Sequence, residues 1–315
     1  QRQMCIRDRN VLDAPYYHVV FTVPEELNSI IYSNQKLLYD ALYHAASATL
    51  NELAKDAKYL GANIGYICIL HTWGSAMNYH PHIHTIVLGG GLDDENKWKE
   101  TGGKFFLPYG VISKVFRGKY LDELKSLWND SKLKFHGTAE KYQNSYRFKE
   151  LLDKCYEKNW VTYCKETFNG AQSVINYLGK YTHRIAISNH RIKSMTDTTV
   201  TYVVKDYKNE GCWKEKTISG EEFIRRFMMH VPPKRFVRIR HYGLLSCRNK
   251  RKKITHCRNL LGCKKYISTL KNLNAVEMIK VLYHIDVCKC SSCGGNMVSP
   301  RKDKYSSSFR AHMRC

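Results

Sequence analysis

The stretch His80-Pro-His-Ile-His-Thr-Ile-Val-Leu88 carries the strongest fold signal in this chain. From His82 onward it is a β-branched and apolar run that ends at three glycines, which predicts a strand over 82–88. A strand places every second side chain on one face, so His82 and His84 point the same way. Two imidazoles on one face are candidate ligands for a single metal ion.

The segments before this strand predict helices packed on a sheet. Residues 16–23 form an aromatic and β-branched run that ends at a proline, as a first strand does. Residues 25–58 carry apolar side chains at helical spacing and predict one long helix. Residues 64–71 predict a strand that pairs antiparallel with 82–88. This order indicates an α+β fold with helices against one antiparallel sheet.

A second chemical signal lies about a hundred residues further on, at Tyr177-Leu-Gly-Lys-Tyr181. On a helix, side chains four residues apart share a face roughly 6 Å apart, so two phenols would stand side by side. Alone, such a pair is typical of an aromatic stripe in a core, and His-x-His is typical of two ordinary histidines. The other elements predicted in this half are helices at 113–135 and 145–157, a strand at 160–164, a hairpin from 185–192 and 198–207, and a capped helix beginning at Ser219.

The charge of the chain indicates a polyanionic partner. Lys and Arg number 51 against 28 Asp and Glu, for a formal net charge of +23. From Arg225 to Val276 there are fifteen Lys or Arg and no acidic residue, which favours phosphate contacts over a solvated surface of mixed sign. The candidate DNA-binding residues are Arg184, Lys234, Arg235, Arg238, Arg240, Arg248, Lys250, Arg251, Lys252 and Lys253.

Several classes of protein are excluded by what the sequence lacks. No GxxxxGK[ST] loop is present, so a nucleoside triphosphate is not expected as a partner. No run of about 18 apolar residues and no signal peptide is present, so we expect no membrane partner and a cytoplasmic location in a bacterial-type cell. Residues 1–9 have no periodicity and are interpreted as a non-native tail.

The C-terminal cysteines have the spacing of a metal site. Cys290-x2-Cys293 and His312-x2-Cys315 together resemble the four ligands of a structural zinc ribbon. Cys288 or His284 could replace a distal member of the set. Reduced thiols without a metal fit the same sequence equally well.

Taken together, the motifs resemble those of a known family. His80-Pro-His-Ile-His84 followed by Tyr-x-x-x-Tyr is similar to the HUH-superfamily two-tyrosine transposases of the insertion-sequence-91 type. The resemblance extends over His71-Thr-Trp-Gly74, Tyr177-Leu-Gly-Lys-Tyr-Thr-His-Arg184 and Arg238-Ile-Arg-His-Tyr-Gly-Leu-Leu245. The family carries an N-terminal cysteine-rich zinc domain that this sequence lacks, so the chain is expected to be N-terminally truncated.

The resemblance implies an HUH endonuclease-like antiparallel sheet packed with helices, and a rolling-circle-like transposase that nicks and rejoins single-stranded DNA at element ends and target. Tyr177 and Tyr181 would be the nucleophiles, forming a 5′-phosphotyrosine. His82 and His84 would hold Mg²⁺ or Mn²⁺ with a third ligand from His71 or His80. The expected domains are 16–208 for the nuclease, 209–276 for the basic DNA-binding region and 277–315 for the zinc segment. A rolling-circle replication initiator, a relaxase and a non-catalytic DNA-binding remnant remain as alternatives.

Overall fold

The computed structural model describes residues 12–101, 107–160, 162–168, 185–206, 211–248, 250–263, 273–283, 285–290 and 292–297. The chain divides into two compact units. Residues 10–264 form the larger unit, and residues 1–9 with 265–315 form the smaller one. Tyr177, Tyr181, Arg184, His312 and Cys315 all lie outside the described residues. Among the described helices, none combines the length and apolar character needed to cross a membrane.

An antiparallel sheet of six strands organises the described part of the larger unit. Its strands are β1 (Tyr16–Thr22), β2 (Asn63–Trp73), β3 (Tyr79–Leu92), β4 (Trp98–Glu100), β5 (Thr162–Phe168) and β9 (Ile239–Gly243). Their order is β5-β1-β3-β2-β9, with β4 paired to β3, and every pair is antiparallel. The predicted α+β class with helices on an antiparallel sheet is confirmed. The two central strands extend beyond their predicted ends, and β9 lies inside the region predicted to be DNA-binding.

One face of this sheet is covered by helices. They are α1 (Asn28–Ser33), α2 (Gln35–Lys55), α3 (Tyr109–Asn129) and α4 (Ser145–Glu157). The apolar stripe of α2 and the aromatic side chains of α3 pack on Val19, Phe21 and Leu70, all at most 1% exposed. Burial of such side chains stabilises the fold by about 1.5–3 kcal/mol each. This face is therefore a closed core.

The helix predicted as one piece over 25–58 is broken at Asn34, so that prediction was wrong in detail. A 3₁₀ turn at Glu25–Leu27 and the short α1 precede α2. Asn34 lies outside helical geometry, with φ −132° and ψ 39°. Its buried amide donates to the Ile30 carbonyl at 3.0 Å and to the Lys134 carbonyl at 2.7 Å. An amide that bonds backbone groups in this way competes with helical hydrogen bonds.

The opposite face of the sheet carries the histidines and a second core. Helix α6 (Lys250–Leu260) covers part of it by burying Ile254 and Cys257 against Ile67, Ile86 and Leu88. At this end of the sheet Gly243 has φ +58°, and a Cβ there would lie 1.9 Å from the Ile64 carbonyl oxygen. Only glycine permits the close approach of β9 to β2 at this point.

A smaller sheet follows in the chain, with the order β6-β7-β8. Its strands are β6 (Ile192–Met195), β7 (Thr199–Asp206) and β8 (Cys212–Ser219), followed by α5 (Gly220–Met228). The capped helix is present, because the Ser219 hydroxyl accepts from the Glu222 N–H at 3.2 Å. Of the predicted hairpin, the second run is present as β7. The prediction of a strand over 185–192 was wrong, because Asn189–Arg191 form a 3₁₀ turn and the strand that pairs with β7 begins only at Ile192. The loop between β2 and β3 holds this sheet, because its Ala76 carbonyl accepts from the Tyr202 hydroxyl at 3.2 Å and from Arg226 at 3.2 Å.

The described part of the smaller unit contains helix α7 (Ala275–Tyr283) and a tight turn around the C-terminal cysteines. In the turn the Cys290 N–H donates to the Gly295 carbonyl at 2.8 Å, and the Gly294 N–H donates to the Cys290 carbonyl at 2.9 Å. The positive φ of Gly294, +70°, is a conformation that glycine adopts readily.

Candidate metal centre and its surroundings

Three histidines meet on the partly open face of the main sheet. Antiparallel pairing places His71 of β2 directly opposite His82 of β3, and His84 follows two residues later on the same face. Their ring centroids are 5.6 Å apart for His71 and His82, 4.5 Å for His71 and His84, and 4.8 Å for His82 and His84. One ring nitrogen of each lies within 4.8 Å of the others, so the three could hold a metal ion.

A backbone carbonyl fixes the orientation of His82. Its Nδ1–H donates to the His80 carbonyl oxygen at 2.6 Å. Because a carbonyl can only accept, the proton is on Nδ1 and the lone pair is on Nε2. That lone pair is directed at His84, whose Nε2 is 3.1 Å away. His80, one of the two candidates for a third ligand, therefore contributes its carbonyl here, while His71 brings its ring to the cluster.

A fourth histidine, His18 of β1, supports His84 from behind. Its Nε2 is 2.8 Å from Nδ1 of His84, and the two rings stack with centroids 5.0 Å apart. No sequence pattern pointed to this role of His18, because the register that brings β1 beside β3 is a tertiary feature. Because Nδ1 of His84 is hydrogen-bonded to His18, Nε2 of His84 is the nitrogen left to face a metal ion.

The site keeps its imidazoles neutral. Burial lowers the pKa of His82 to about 4 and that of His84 well below the usual value for histidine. Burial also lowers the pKa of His18 to about 4. A metal ion needs the neutral form of each ligand, so protons do not compete for this site near pH 7.

The donor set fits a divalent transition ion. Two imidazole nitrogens bound to one ion at about 2.1 Å each lie roughly 3.0–3.4 Å apart. The 3.1 Å between Nε2 of His82 and Nε2 of His84 falls in that range. Imidazole suits first-row ions such as Zn²⁺, Fe²⁺ and Ni²⁺, whereas Mg²⁺ prefers oxygen ligands and retained water. The residues therefore fit a first-row transition ion of this kind better than Mg²⁺ or Mn²⁺, the two predicted ions, because both of these favour oxygen ligands.

Tyr177 and Tyr181 lie outside the described residues, but both ends of their segment are described. Phe168, at the end of β5, pairs with Tyr16 of β1. At the other end, Ile185 and Trp73 each pack against a buried cluster that includes Met77. Trp73 in turn stacks on His71, with centroids 4.6 Å apart. The chain therefore re-enters the described structure at a cluster that also packs against Trp73, the residue stacked on His71.

The predicted DNA-binding residues separate into two groups in the structure. Arg240 is held inside the fold by an ion pair with Asp40, and its guanidinium lies 4.0 Å from the ring centroid of Tyr43. Arg240 therefore serves packing. The remaining described residues are exposed or half-buried: Lys234, Arg235, Arg238, Arg248, Lys250, Arg251, Lys252 and Lys253.

Two aromatic residues of the basic region also pack inward, so they do not form a stacking surface for single strands. Phe236 packs edge-on against Tyr39 at 5.5 Å, and Tyr242 stacks on Tyr66 at 5.3 Å. Both rings join the core on the helical side of the sheet. We therefore expect neither ring to contact DNA.

Half of the predicted zinc ribbon falls within the described residues. Backbone N–H groups of Ser292 and Cys293 hydrogen-bond to the Cys290 sulfur and lower the pKa of its thiol. A thiolate is the form that binds zinc, so the turn suits a ligand. The other two predicted ligands, His312 and Cys315, lie outside the described residues, and the zinc site stays a prediction.

Comparison with known proteins supplies the family. The chain is 40% identical over 264 residues to "Putative transposase y4qJ" of Sinorhizobium fredii, covering 83% of this chain and 66% of that protein. It is 28% identical over 296 residues to the transposase for insertion sequence element IS801 of Pseudomonas savastanoi pv. phaseolicola. This match covers 93% of this chain and 69% of that protein. The chain thus spans about two thirds of the length of these relatives.

Solved structures give a weaker likeness. The conjugative relaxase TrwC in complex with oriT DNA, metal-free, matches with a TM-score of 0.28 and 16% identity over 35% of this chain and 44% of that one. The metal-bound structure of the same relaxase matches with a TM-score of 0.28 and 13% identity, over 51% of this chain and 68% of that one. TM-scores this low carry no argument about this chain.

The sequence profile of the Y2_Tnp family, described as "Putative transposase", matches residues 65–253. That range contains His71, His82 and His84, the segment with both tyrosines, and most of the basic region. It covers more than half of the chain. The chain therefore belongs to the Y2_Tnp transposase family, which confirms the resemblance drawn from its histidine and tyrosine motifs.

Proposed function

We propose that this chain cuts and rejoins single-stranded DNA by transesterification during transposition. The observation that carries this proposal is the convergence of His71, His82 and His84 on one face of the sheet. The end of the tyrosine segment at Ile185 packs against the same cluster as Trp73, which stacks on His71. Membership of the transposase family supports a role in transposition, and the buried histidine site supports chemistry assisted by a metal ion.

The histidines would prepare the scissile phosphate. His71, His82 and His84 would hold a divalent ion, which would act as a Lewis acid on a phosphate oxygen. The His80 carbonyl and His18 keep two of the rings aligned, so the site needs little reorganisation. His71 and His82 are 3% and 8% exposed, so water has little access to these two rings.

The tyrosines are the proposed nucleophiles. Tyr181 lies four residues before Ile185 in the sequence. A phenol with an ordinary pKa near 10 is weakly nucleophilic at pH 7, so placement and polarisation of the phosphate must activate the attack. The phenol oxygen bonds to phosphorus and loses its proton, while the 3′ oxygen of the DNA leaves and gains one.

This exchange conserves the phosphoester bond. The 5′ end of the cut strand stays on tyrosine, and a 3′-hydroxyl can reverse the step without a nucleoside triphosphate. Two tyrosines allow two successive exchanges, one on the donor strand and one on a second strand. The exposed basic residues from Lys234 to Lys253 are the proposed contacts to the DNA backbone.

The test is a covalent-adduct assay on the full chain. Labelled single-stranded DNA carrying candidate element ends is incubated with Mn²⁺ or Mg²⁺ and run on a denaturing protein gel. Wild type is compared with Tyr177→Phe, Tyr181→Phe, the double variant and His82→Ala. An adduct that requires metal and His82 and disappears in the double tyrosine variant is the expected result. Wild-type DNA binding without any adduct would support the non-catalytic alternative instead.

A further inference from the structure

A basic groove lies on the larger unit, beside the N-terminal end of α2. It encloses about 350 Å³ between the junction of α1 and α2 and the segment that follows α3. Three lysines line it, Lys36, Lys132 and Lys134, together with Tyr32 and Pro233. None of its lining residues in the described structure is acidic. Such a concentration of one sign of charge favours a polyanion.

The lysines are held in place by the fold. Leu133 is buried between Lys132 and Lys134, so both lysines project to the solvent side. The buried amide of Asn34 clamps Lys134 from both directions, since it donates to the Lys134 carbonyl and accepts from the Lys134 N–H, each at 2.7 Å. Lys132 pairs with Asp130 at 2.9 Å. An exposed pair of this kind is worth little and gives way easily to a phosphate.

An exposed aromatic ring stands in the groove. Tyr32 is 48% exposed and packs edge-on against Tyr79, with ring centroids 5.3 Å apart. Tyr79 begins the strand that carries His82, and three strand residues span about 10 Å. The groove therefore adjoins the strand end that leads to the histidine cluster.

The groove is also continuous with the basic region. Pro233 forms part of its wall, and the exposed Lys234 and Arg235 follow directly in the chain. Lysines from the first half of the sequence thus join arginines and lysines from the second half. Their separation in sequence hides this surface from a search for basic runs.

We propose that this groove binds the backbone of single-stranded DNA as it leaves the histidine site, with Tyr32 stacking on an unpaired base. The proposal rests on the proposed function for the origin of the strand. Combined lysines and an accessible ring are the elements of single-strand recognition without sequence preference. A duplex has no unstacked base to offer to Tyr32.

The test measures binding of the full chain to a labelled single strand of mixed sequence, by fluorescence anisotropy at several salt concentrations without metal. Each phosphate contact contributes about 0.7 to the slope of log affinity against log salt for a single strand. Lys36→Gln combined with Lys134→Gln should lower the slope by about 1.4. The matched control, Lys55→Gln with Lys114→Gln, removes the same charge from exposed lysines of α2 and α3. Lys55 is about 28 Å from Lys36 along α2, so this control pair lies away from the groove.

Tyr32 provides a second, independent measurement. Tyr32→Ala should weaken single-strand binding roughly five- to a hundredfold and leave duplex binding unchanged, whereas Tyr32→Phe should retain single-strand affinity. Thermal unfolding checks that each variant is folded.

The proposal that the groove binds DNA would be wrong if the groove and control pairs gave equal slopes. It would also be wrong if Tyr32→Ala lost single-strand and duplex binding equally. If the slopes change as expected while wild type forms no covalent adduct, the groove stands and the proposed cleavage fails. If the adduct forms and the slopes do not change, the proposed cleavage is supported and the proposal that the groove binds DNA fails.

Discussion

At the scale of single residues, the histidine site depends on hydrogen bonds behind its rings. His82 is oriented by the carbonyl of His80, and His84 by the imidazole of His18. Both partners act through ligands and would not touch a metal themselves. Alternation along β3 identified His82 and His84, but it contained no information about His18, which lies 66 positions away from His84.

We predict that His18→Leu weakens binding of Mn²⁺ or Co²⁺ about 10- to 100-fold, because His84 loses the hydrogen bond that fixes its ring and its tautomer. His18→Gln should restore most of the affinity, since an amide oxygen can accept from Nδ1–H of His84. Isothermal titration calorimetry on the metal-free protein measures both effects.

The control is thermal unfolding in the absence of metal. If the leucine variant unfolds at the wild-type temperature and still binds metal with wild-type affinity, His18 has no positioning role. Equal weakening by leucine and glutamine would point to packing of the ring, and would also contradict the prediction.

At the scale of elements, the strands with strong β-branched runs were predictable, and so was the helix that Ser219 caps. Asn34 broke the long predicted helix because its amide bonds to Lys134, a contact that depends on the folded chain. β8 was missed because Lys and Glu alternate along its exposed surface. β9 was missed because its basic residues suggested DNA contacts, whereas pairing with β2 draws Arg240 into the fold.

We predict that Gly243→Ala destabilises the protein by at least about 2 kcal/mol, since a left-handed conformation costs a non-glycine residue about 1–3 kcal/mol and the new Cβ meets the Ile64 carbonyl. Gly262→Ala is the matched control, because Gly262 has φ +62° but no atom within 4 Å of a Cβ. Urea unfolding measures both. Equal losses for the two variants would show that the approach of β9 to β2 is not tight.

We predict that Ser219→Ala lowers stability by about 1 kcal/mol, because the Glu222 N–H at the start of α5 loses its acceptor. Ser219→Asp should retain stability, since a carboxylate also caps a helix N-terminus. Thermal unfolding followed by circular dichroism compares the two. A loss in Ser219→Asp equal to that in Ser219→Ala would argue against capping as the cause.

At the scale of the whole molecule, charge and motifs led to the transposase family, and the profile match over residues 65–253 confirms it. The antiparallel α+β architecture also followed from the order of predicted elements. The groove that brings Lys36, Lys132 and Lys134 together with Pro233 could not be predicted in this way, because it forms only when segments distant in the sequence pack together. The roles of individual site residues remain proposals.

We predict that the full chain binds two kinds of metal with different donors. Cys290→Ser with Cys293→Ser should lower the zinc content measured by atomic absorption by about one equivalent, since a tetrahedral site needs four ligands. His82→Ala should leave this zinc in place and remove the ion of the histidine site. Equal zinc content in wild type and the cysteine variant would show that these thiols are not ligands.

The anchoring of the tyrosine segment has a kinetic consequence for the proposed reaction. Phe168 is paired to β1, and Ile185 packs against the same buried cluster as Trp73, so both ends of that segment belong to the body that carries the histidines. A DNA end bonded to either tyrosine would then remain at a high effective concentration near the site, because a short tether makes the return encounter intramolecular. Rejoining should therefore be independent of protein dilution, and a cut end should be retained through many failed attempts before it is transferred.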